Sequence, residues 1–146
     1  MANTLARTAC FIAAPALMAA GAGGWAVIAK QLASQRIEVH QDSPIFAGKT
    51  VAGPLTAFAQ ANVIEQHAEG IGGGRTFAEI SHEWMEAQER GDQARVDELA
   101  GTRQMVMQAN LLRASLGTAG VAFGVAALAG GMGALTAVVG SALPKE

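Results

Sequence analysis

Residues 114–143 read ASLGTAGVAFGVAALAGGMGALTAVVGSAL, a stretch of 30 residues without a single charged side chain. At about 1.5 Å of rise per residue, a helix of this length is about 45 Å long, whereas the hydrocarbon core of a bilayer is about 30 Å thick. The stretch is therefore long enough to cross a membrane with a tilt. Arg113 and Lys145 flank it, and each side chain can extend its charge toward a headgroup region.

A second uncharged stretch of 22 residues occupies positions 8–29, TACFIAAPALMAAGAGGWAVIA. As a helix it is about 33 Å long, which is also enough to cross a bilayer. Two such stretches in a chain of 146 residues are hard to explain as helices of a soluble core. We therefore predict an all-α membrane protein built on a two-helix transmembrane hairpin. Its predicted parts are an N-terminal tail (1–7), transmembrane helix 1 (8–29), a central, mostly helical extramembrane segment (30–113), transmembrane helix 2 (114–143) and a C-terminal tail (144–146).

The first apolar stretch has an alternative interpretation as a cleaved signal peptide. Arg7 supplies a short basic region, and residues 20–22 (AGA) resemble a small-residue cleavage site. However, the apolar run continues beyond that site through Trp25 to Ala29. We therefore favour a retained span, and the alternative is a secreted segment held by a C-terminal membrane anchor.

The charged residues are concentrated in the central segment. Only 15% of all residues are charged, against about 25% in an average globular domain, and 51% are hydrophobic. Eight of the ten Lys and Arg residues and eleven of the twelve acidic residues lie between Lys30 and Arg113. The net charge of −2 gives no basic face for nucleic acid. We expect a multi-pass protein of the cell membrane with both termini cytoplasmic and the central segment extracytoplasmic, because long loops translocate largely regardless of their charge.

Small residues recur along both predicted spans and are candidates for helix packing. Ala16, Ala20 and Gly24 repeat at every fourth position, and Gly120 and Gly124 form a GxxxG motif. The same step on another face of the second span joins Ala122, Ala126 and Gly130. Small side chains let helix backbones approach closely within lipid, so these faces predict packing of the two spans on each other or on a partner's helix. The alternative is chance, since Ala and Gly are common in this chain.

The central segment shows several signals of local structure. Alternation at residues 37–40 and a possible return at 49–51 favour a short β-hairpin near 37–51. Pro54 opens a helix that ends at Gly70, and residues 76–79 (TFAE) form a capping box. Gly91-Asp92 interrupts the next helix, and from Thr102 the pattern predicts one long helix into the second span. Phe77, Ile80 and Trp84 share one face of the middle helix, which favours a packed role for Trp84.

The central segment and the second span also carry a resemblance to a known family. The stretch 47–61 (AGKTVAGPLTAFAQA), followed by Ile64 and His67-Ala68, resembles a family of small actinobacterial two-span membrane proteins. The likeness continues in residues 76–79, 106–109, 112–116 and 121–126, whereas the segment 82–102 is longer here than in the family pattern. Members of this family often carry the name aromatic ring-opening dioxygenase, so the resemblance implies a membrane hairpin and, by name, an iron enzyme.

The metal ligands that ring opening requires can be compared with the residues of this chain. Non-heme iron oxygenases hold the metal with two His and one carboxylate, in a dry pocket with open coordination positions. The chain has three His residues, His40, His67 and His82, each in a different predicted element. Folding can bring two of them together, but a segment this small and polar has little core to enclose an aromatic substrate. We therefore predict no catalytic residue, no metal and no cofactor, and we expect the dioxygenase name to be a misnomer.

The predicted function is that of a non-catalytic accessory or interaction protein of the bacterial cell envelope. Its predicted partners are the lipid bilayer and a larger membrane protein complex, such as a respiratory or transport complex, or a second copy through the small-residue faces. The alternatives are the disfavoured iron dioxygenase and the anchored secreted segment described above.

Overall fold

The computed structural model of the chain describes residues 2–144. These residues form four helices: α1 (Ala2–Ser34), α2 (Pro54–Gly72), α3 (Phe77–Glu89) and α4 (Gln93–Ala142). No strand occurs within residues 2–144, so the predicted all-α class is confirmed. Lys145, the predicted flanking charge of the second span, lies outside the described residues.

The predicted β-hairpin near residues 37–51 is a single antiparallel bridge between Glu38 and Thr50. The backbone amide of Val39 donates a hydrogen bond to the carbonyl oxygen of Lys49 at 2.9 Å, so the two segments do pair where the alternation indicated. Two short strands alone are marginally stable. The pairing therefore does not extend into strands, and the prediction of a hairpin is corrected to an ordered loop.

The described residues divide into two compact units. We call the first the apolar helix pair; it contains α1 and the part of α4 from residue 119 onward, with residues 52–54. We call the second the helical subdomain; it contains residues 38–51 and 55–118 and therefore α2, α3 and the first half of α4. Because α4 runs without a break over 50 residues, the single long helix predicted from Thr102 onward is confirmed.

The two helices of the apolar helix pair lie side by side and antiparallel. Gly140 near the end of α4 approaches Cys10 near the start of α1, whereas Gly130, earlier in α4, approaches Gly21, later in α1. In the last third of α1, the ring of Trp25 packs on that of Phe123, with the centroids 4.7 Å apart and the planes tilted by 60°. Phe123 is one of the few large side chains that are buried in this unit.

The helical subdomain has a core of large aliphatic side chains. Ile80, Leu99 and Val106 are almost fully buried, and Phe77 and Trp84 pack against them. The predicted shared face of Phe77, Ile80 and Trp84 is therefore confirmed, as is the packed role of Trp84. This face brings α3 against the first half of α4.

The ends of the helices in the subdomain follow local sequence signals. Thr76 caps α3: its hydroxyl accepts a hydrogen bond from the Glu79 amide, and the Glu79 carboxylate accepts one from the Thr76 amide at 2.7 Å. This confirms the predicted capping box. Gly91, with a φ of +69°, separates α3 from α4 where a break was predicted. Helix α2 opens at Pro54 as predicted and ends at Gly72, two residues later than expected.

Candidate functional site

The five predicted helix-packing residues lie at different depths in the apolar helix pair. A Cβ atom built on Gly24 would lie 3.6 Å from the Cβ of Ala126, so Gly24 faces α4, and Gly120 is buried. The other three are exposed: Ala16, Ala20 and Gly124. No atom lies within 4 Å of a Cβ built on Gly124. A packing role for the three exposed residues stays a prediction, and it concerns a helix of another molecule.

The closest approach of the two helices joins the predicted α4 face of Ala126 and Gly130 to Gly21, a glycine that was not predicted. A Cβ atom built on Gly21 would lie 2.5 Å from the backbone nitrogen of Gly130 and 2.6 Å from the carbonyl oxygen of Ala126. A Cβ atom on Gly133 would lie 2.8 Å from the carbonyl oxygen of Ala14. Because the opposing atoms belong to the backbone, a side chain at either glycine would require the helices to move apart.

The contact between the two helices repeats every seventh residue. Ala14 and Gly21 are seven residues apart in α1, and Ala126, Gly133 and Gly140 follow the same spacing in α4. A seven-residue period is typical of helices that cross at a shallow left-handed angle, whereas a four-residue step is typical of right-handed GxxxG crossings. The prediction followed the four-residue step. Of the predicted residues, Gly24 on α1 and Ala126 and Gly130 on α4 lie in the contact, whereas the seven-residue spacing was not predicted.

A second set of polar residues comes together in the helical subdomain. The ordered loop carries His40 and Asp42, and helix α2 carries His67. The Asp42 Oδ2 atom lies 2.9 Å from His67 Nε2 and 3.2 Å from His40 Nδ1. The two imidazole rings meet edge to face, with centroids 4.9 Å apart. One nitrogen from each His and one oxygen from Asp42 all lie within 4.8 Å of one another, a grouping that could hold a metal ion.

The backbone holds the loop half of this cluster in place. The His40 amide donates a hydrogen bond to the side-chain oxygen of Gln60 at 2.8 Å, and Gln60 lies two turns before His67 on the same face of α2. The neighbouring Val39 is 1% exposed, so the residue before His40 is anchored in the core. Both His residues are therefore positioned by the contact between the loop and one helix face.

A turn at the end of the loop brings Asp42 next to the imidazoles. The Ser43 amide donates a hydrogen bond to the His40 carbonyl oxygen at 3.0 Å, and the Ser43 side chain is buried with its hydroxyl donating to the Ile45 carbonyl at 2.7 Å. Phe46 and Gly48 adopt positive φ angles of 59° and 70°, which reverse the chain toward Lys49. A left-handed conformation is uncommon for a bulky residue such as Phe46, so the loop has a specific shape.

The cluster is open to water rather than enclosed. The side chains of His40, Asp42 and His67 are 51%, 61% and 45% exposed. The third histidine, His82, is not part of it: its Nε2 atom lies 3.1 Å from Glu86 on the same helix. The prediction that folding can gather two of the three His residues is thus met by His40 and His67. Asp42 was not among the candidate ligands, and no sequence signal links it to His67, 25 residues away.

The carboxylates of α3 are arranged for ion pairing. Glu83 accepts hydrogen bonds from Arg75 at 2.8 Å and from Arg95 at 2.9 Å, and the Arg75 bond contributes most to holding its pKa below the usual value. The hydrogen bond from the Thr76 amide likewise lowers the pKa of Glu79. A general acid at neutral pH needs a raised pKa, whereas the pKa values of Glu79 and Glu83 are lowered. Glu79 and Glu83 therefore serve a helix cap and ion pairs on the surface of the subdomain.

Comparison of the chain with protein-family models, with curated proteins and with solved structures gives no match. The resemblance to small actinobacterial membrane proteins therefore stays a prediction. Two features of the described residues bear on function: the outer surface of the apolar helix pair and the His40–Asp42–His67 cluster.

Proposed function

We propose that the protein is a multi-pass membrane protein of the bacterial cell envelope whose apolar helix pair crosses the bilayer as a hairpin. The observation that carries this proposal is an inverted distribution of side-chain size. Apart from the Trp25–Phe123 pair, mostly small residues line the contact between the helices, whereas large aliphatic residues point outward. Those outward residues are more than three-fifths exposed: Ile12, Val27, Val121, Val125, Leu128, Leu135 and Val138.

Such a surface is stable in lipid and costly in water. At about 25 cal/mol for each Å² of apolar surface, a row of exposed Leu and Val side chains is a large penalty in aqueous solution. Helices Asn3–Ser34 and Gln93–Ala142 are both apolar and long enough to span a membrane. In the most apolar 18-residue stretch of each helix, only 11% and 17% of the residues are buried, whereas the core helix of a soluble protein is mostly buried. This difference favours spans over core helices.

The close packing of α1 on α4 also favours a retained first span over a cleaved signal peptide. Cleavage after Ala22 would remove Gly21 and Ala14, which are contact residues for Gly130 and Gly133. In the proposed topology both termini are cytoplasmic and the helical subdomain is extracytoplasmic. Mass spectrometry of the protein from membranes tests retention: we expect a chain that still contains residues 8–22, and a chain that starts near residue 23 would contradict it.

We further propose that the protein acts as a non-catalytic accessory subunit of a larger membrane protein complex. Gly117, Gly124 and Gly131 are seven residues apart on α4, and no atom lies within 4 Å of a Cβ built on any of them. Together with the exposed Ala16 and Ala20 on α1, they leave small-residue surfaces that an additional helix can approach closely. An oxygenase would instead need its ligands in a dry pocket, and the His40–Asp42–His67 cluster is open to water.

Affinity purification in a mild detergent, followed by native electrophoresis and mass spectrometry, tests the accessory role. We expect the wild-type protein to migrate with a reproducible set of larger membrane proteins. Gly124→Leu should release it from them, because the added side chain fills the outer surface without touching the helix pair. Val125→Leu, which enlarges an already large and exposed residue, is the matched control and should remain bound. Recovery of the wild-type protein alone would contradict the proposal.

A further inference from the structure

We propose that His40, Asp42 and His67 form a binding site for a divalent transition-metal ion of the Zn²⁺ type. The inference concerns the helical subdomain alone and is independent of the accessory role proposed above. It begins with the identity of the three groups: two imidazoles and one carboxylate are ligands that Zn²⁺ commonly takes in proteins.

The spacing of the donor atoms suits a small ion. Ligand atoms about 2.0–2.1 Å from a tetrahedral Zn²⁺ lie about 3.4 Å from one another. Asp42 Oδ2 is 3.2 Å from His40 Nδ1 and 2.9 Å from His67 Nε2, so two of the three edges are already near this length. All three atoms lie within 4.8 Å of one another. Small rotations of exposed side chains are enough to complete the geometry.

The Asp42 carboxylate lies between the two imidazoles. Its Oδ2 atom is within 3.2 Å of a ring nitrogen of each His, and carboxylate oxygens and imidazole nitrogens are both ligands for a cation. The backbone amide of Asp42 also donates a hydrogen bond of 3.2 Å to His40 Nδ1. Because Nδ1 has a single lone pair, a metal ion bound there would replace this hydrogen bond.

The fold supplies the positioning that a metal site needs. The hydrogen bond of the His40 amide to Gln60 and the burial of Val39 fix the loop against α2, on the face that carries His67. Metal ligands on backbone elements that are already in place lose little conformational freedom on binding. Since the side chains are open to water, solvent would complete the coordination and the ion would exchange readily. The metal would also link the loop to α2 and stabilise that contact.

Titration of the full-length protein with Zn²⁺ tests the site. The protein is purified in detergent with a tag that contains no histidine, stripped with a chelator, and titrated by calorimetry. We expect saturable binding of one ion per chain. His67→Ala and Asp42→Asn should each weaken it by about tenfold or more, because even residues outside the first coordination shell have effects of that size. Circular dichroism of each variant should match that of the wild type, since both side chains are exposed.

His82→Ala is the matched control. His82 is also an exposed histidine beside a carboxylate, with Nε2 3.1 Å from Glu86, but it lies outside the cluster. We expect its removal to leave the affinity unchanged. Wild-type protein that shows no saturable binding would overturn the proposal. Binding that persists at full affinity in His40→Ala/His67→Ala, or that is lost in His82→Ala, would overturn it as well.

Discussion

The apolar helix pair and the helical subdomain use large and small side chains in opposite ways. In the subdomain, Ile80 and Leu99 are at most 2% exposed and form the core. In the helix pair, Leu128 and Leu135 are 63% and 65% exposed, and Gly21 occupies the contact. A fold places its apolar bulk where water is absent. The two units of one chain are therefore organised in opposite ways, as the proposed bilayer location of the helix pair requires, and α4 runs through both units.

Charged side chains follow the same division. In the subdomain, Glu83 bridges Arg75 and Arg95, and Arg113 pairs with Glu65 at 2.6 Å. Arg113, which was predicted to extend toward headgroups, is thus held by an ion pair with α2. Exposed pairs of this kind contribute about 0–1 kcal/mol each, so they identify a solvated surface more than they stabilise it.

The largest expected effect contrasts one leucine from each unit. Leu99→Ala should lower the free energy of unfolding of the subdomain by about 2–5 kcal/mol, because it leaves a cavity in a packed core. Leu128→Ala should change the stability by less than about 0.5 kcal/mol, since its side chain contacts no core. Urea titration in detergent, followed by Trp84 fluorescence in a Trp25→Phe background, measures the first; thermal unfolding by circular dichroism measures the second. Equal losses for the two variants would remove the contrast.

An intermediate effect is expected within the helix pair. Gly21→Ala should destabilise the pair by about 1–3 kcal/mol, because the added methyl meets the backbone of Gly130 and Ala126. Gly23→Ala, two residues away, has no atom within 4 Å of the added methyl and should be neutral or slightly stabilising. The melting temperature of each variant in the same detergent gives the comparison. If Gly23→Ala were the more harmful change, the assigned contact face would be wrong.

The smallest expected effect is the pH dependence of the capping box. The folded-state pKa of Glu79 lies below the ordinary value of 4.5. The ionised carboxylate therefore stabilises the folded protein fully at pH values above 4.5. This stabilisation is lost as the pH falls through the lower folded-state pKa. Glu79→Gln should keep the cap and reduce the acid-induced fall in stability, since Gln also serves in a capping box.

Thermal unfolding at about pH 7 and about pH 3 measures this dependence. Glu89→Gln, at the exposed end of α3, is the control and should retain the wild-type fall in stability. An unchanged pH dependence in Glu79→Gln would argue that the carboxylate of Glu79 does not stabilise the start of α3.

Local signals in the sequence predicted much of the fold. The features that were not predicted depend on contacts between residues that are far apart in the sequence. The capping box at Thr76, the break at Gly91 and the long helix that includes Thr102 each depend on neighbouring residues, and each is confirmed. The contact at Gly21 and Gly133 was missed because a four-residue and a seven-residue pattern of small residues coexist in the same spans. The choice between them depends on the partner helix.

The candidate metal site was not predictable in the same way. His40 and His67 were identified as the His residues available for a site, but their approach depends on the hydrogen bond between the His40 amide and Gln60. Asp42 joins the cluster because the hydrogen bonds of Ser43 stabilise the turn that contains it. The contact with Gln60 joins residues 20 positions apart, and no local sequence signal indicates it.

Cysteine labelling in membranes tests most directly whether the helix pair lies in lipid. In a Cys10→Ser background, Leu128→Cys and Leu135→Cys place thiols on the outer surface of α4, and Gln66→Cys places one on the exposed surface of α2. In inside-out and right-side-out membrane vesicles, we expect a charged maleimide to label Gln66→Cys in one orientation. Leu128→Cys and Leu135→Cys should remain unlabelled in both until the membrane is dissolved with a denaturing detergent. Labelling of Leu128→Cys as fast as Gln66→Cys in intact membranes would contradict the account, because it would place the outer surface of the helix pair in water.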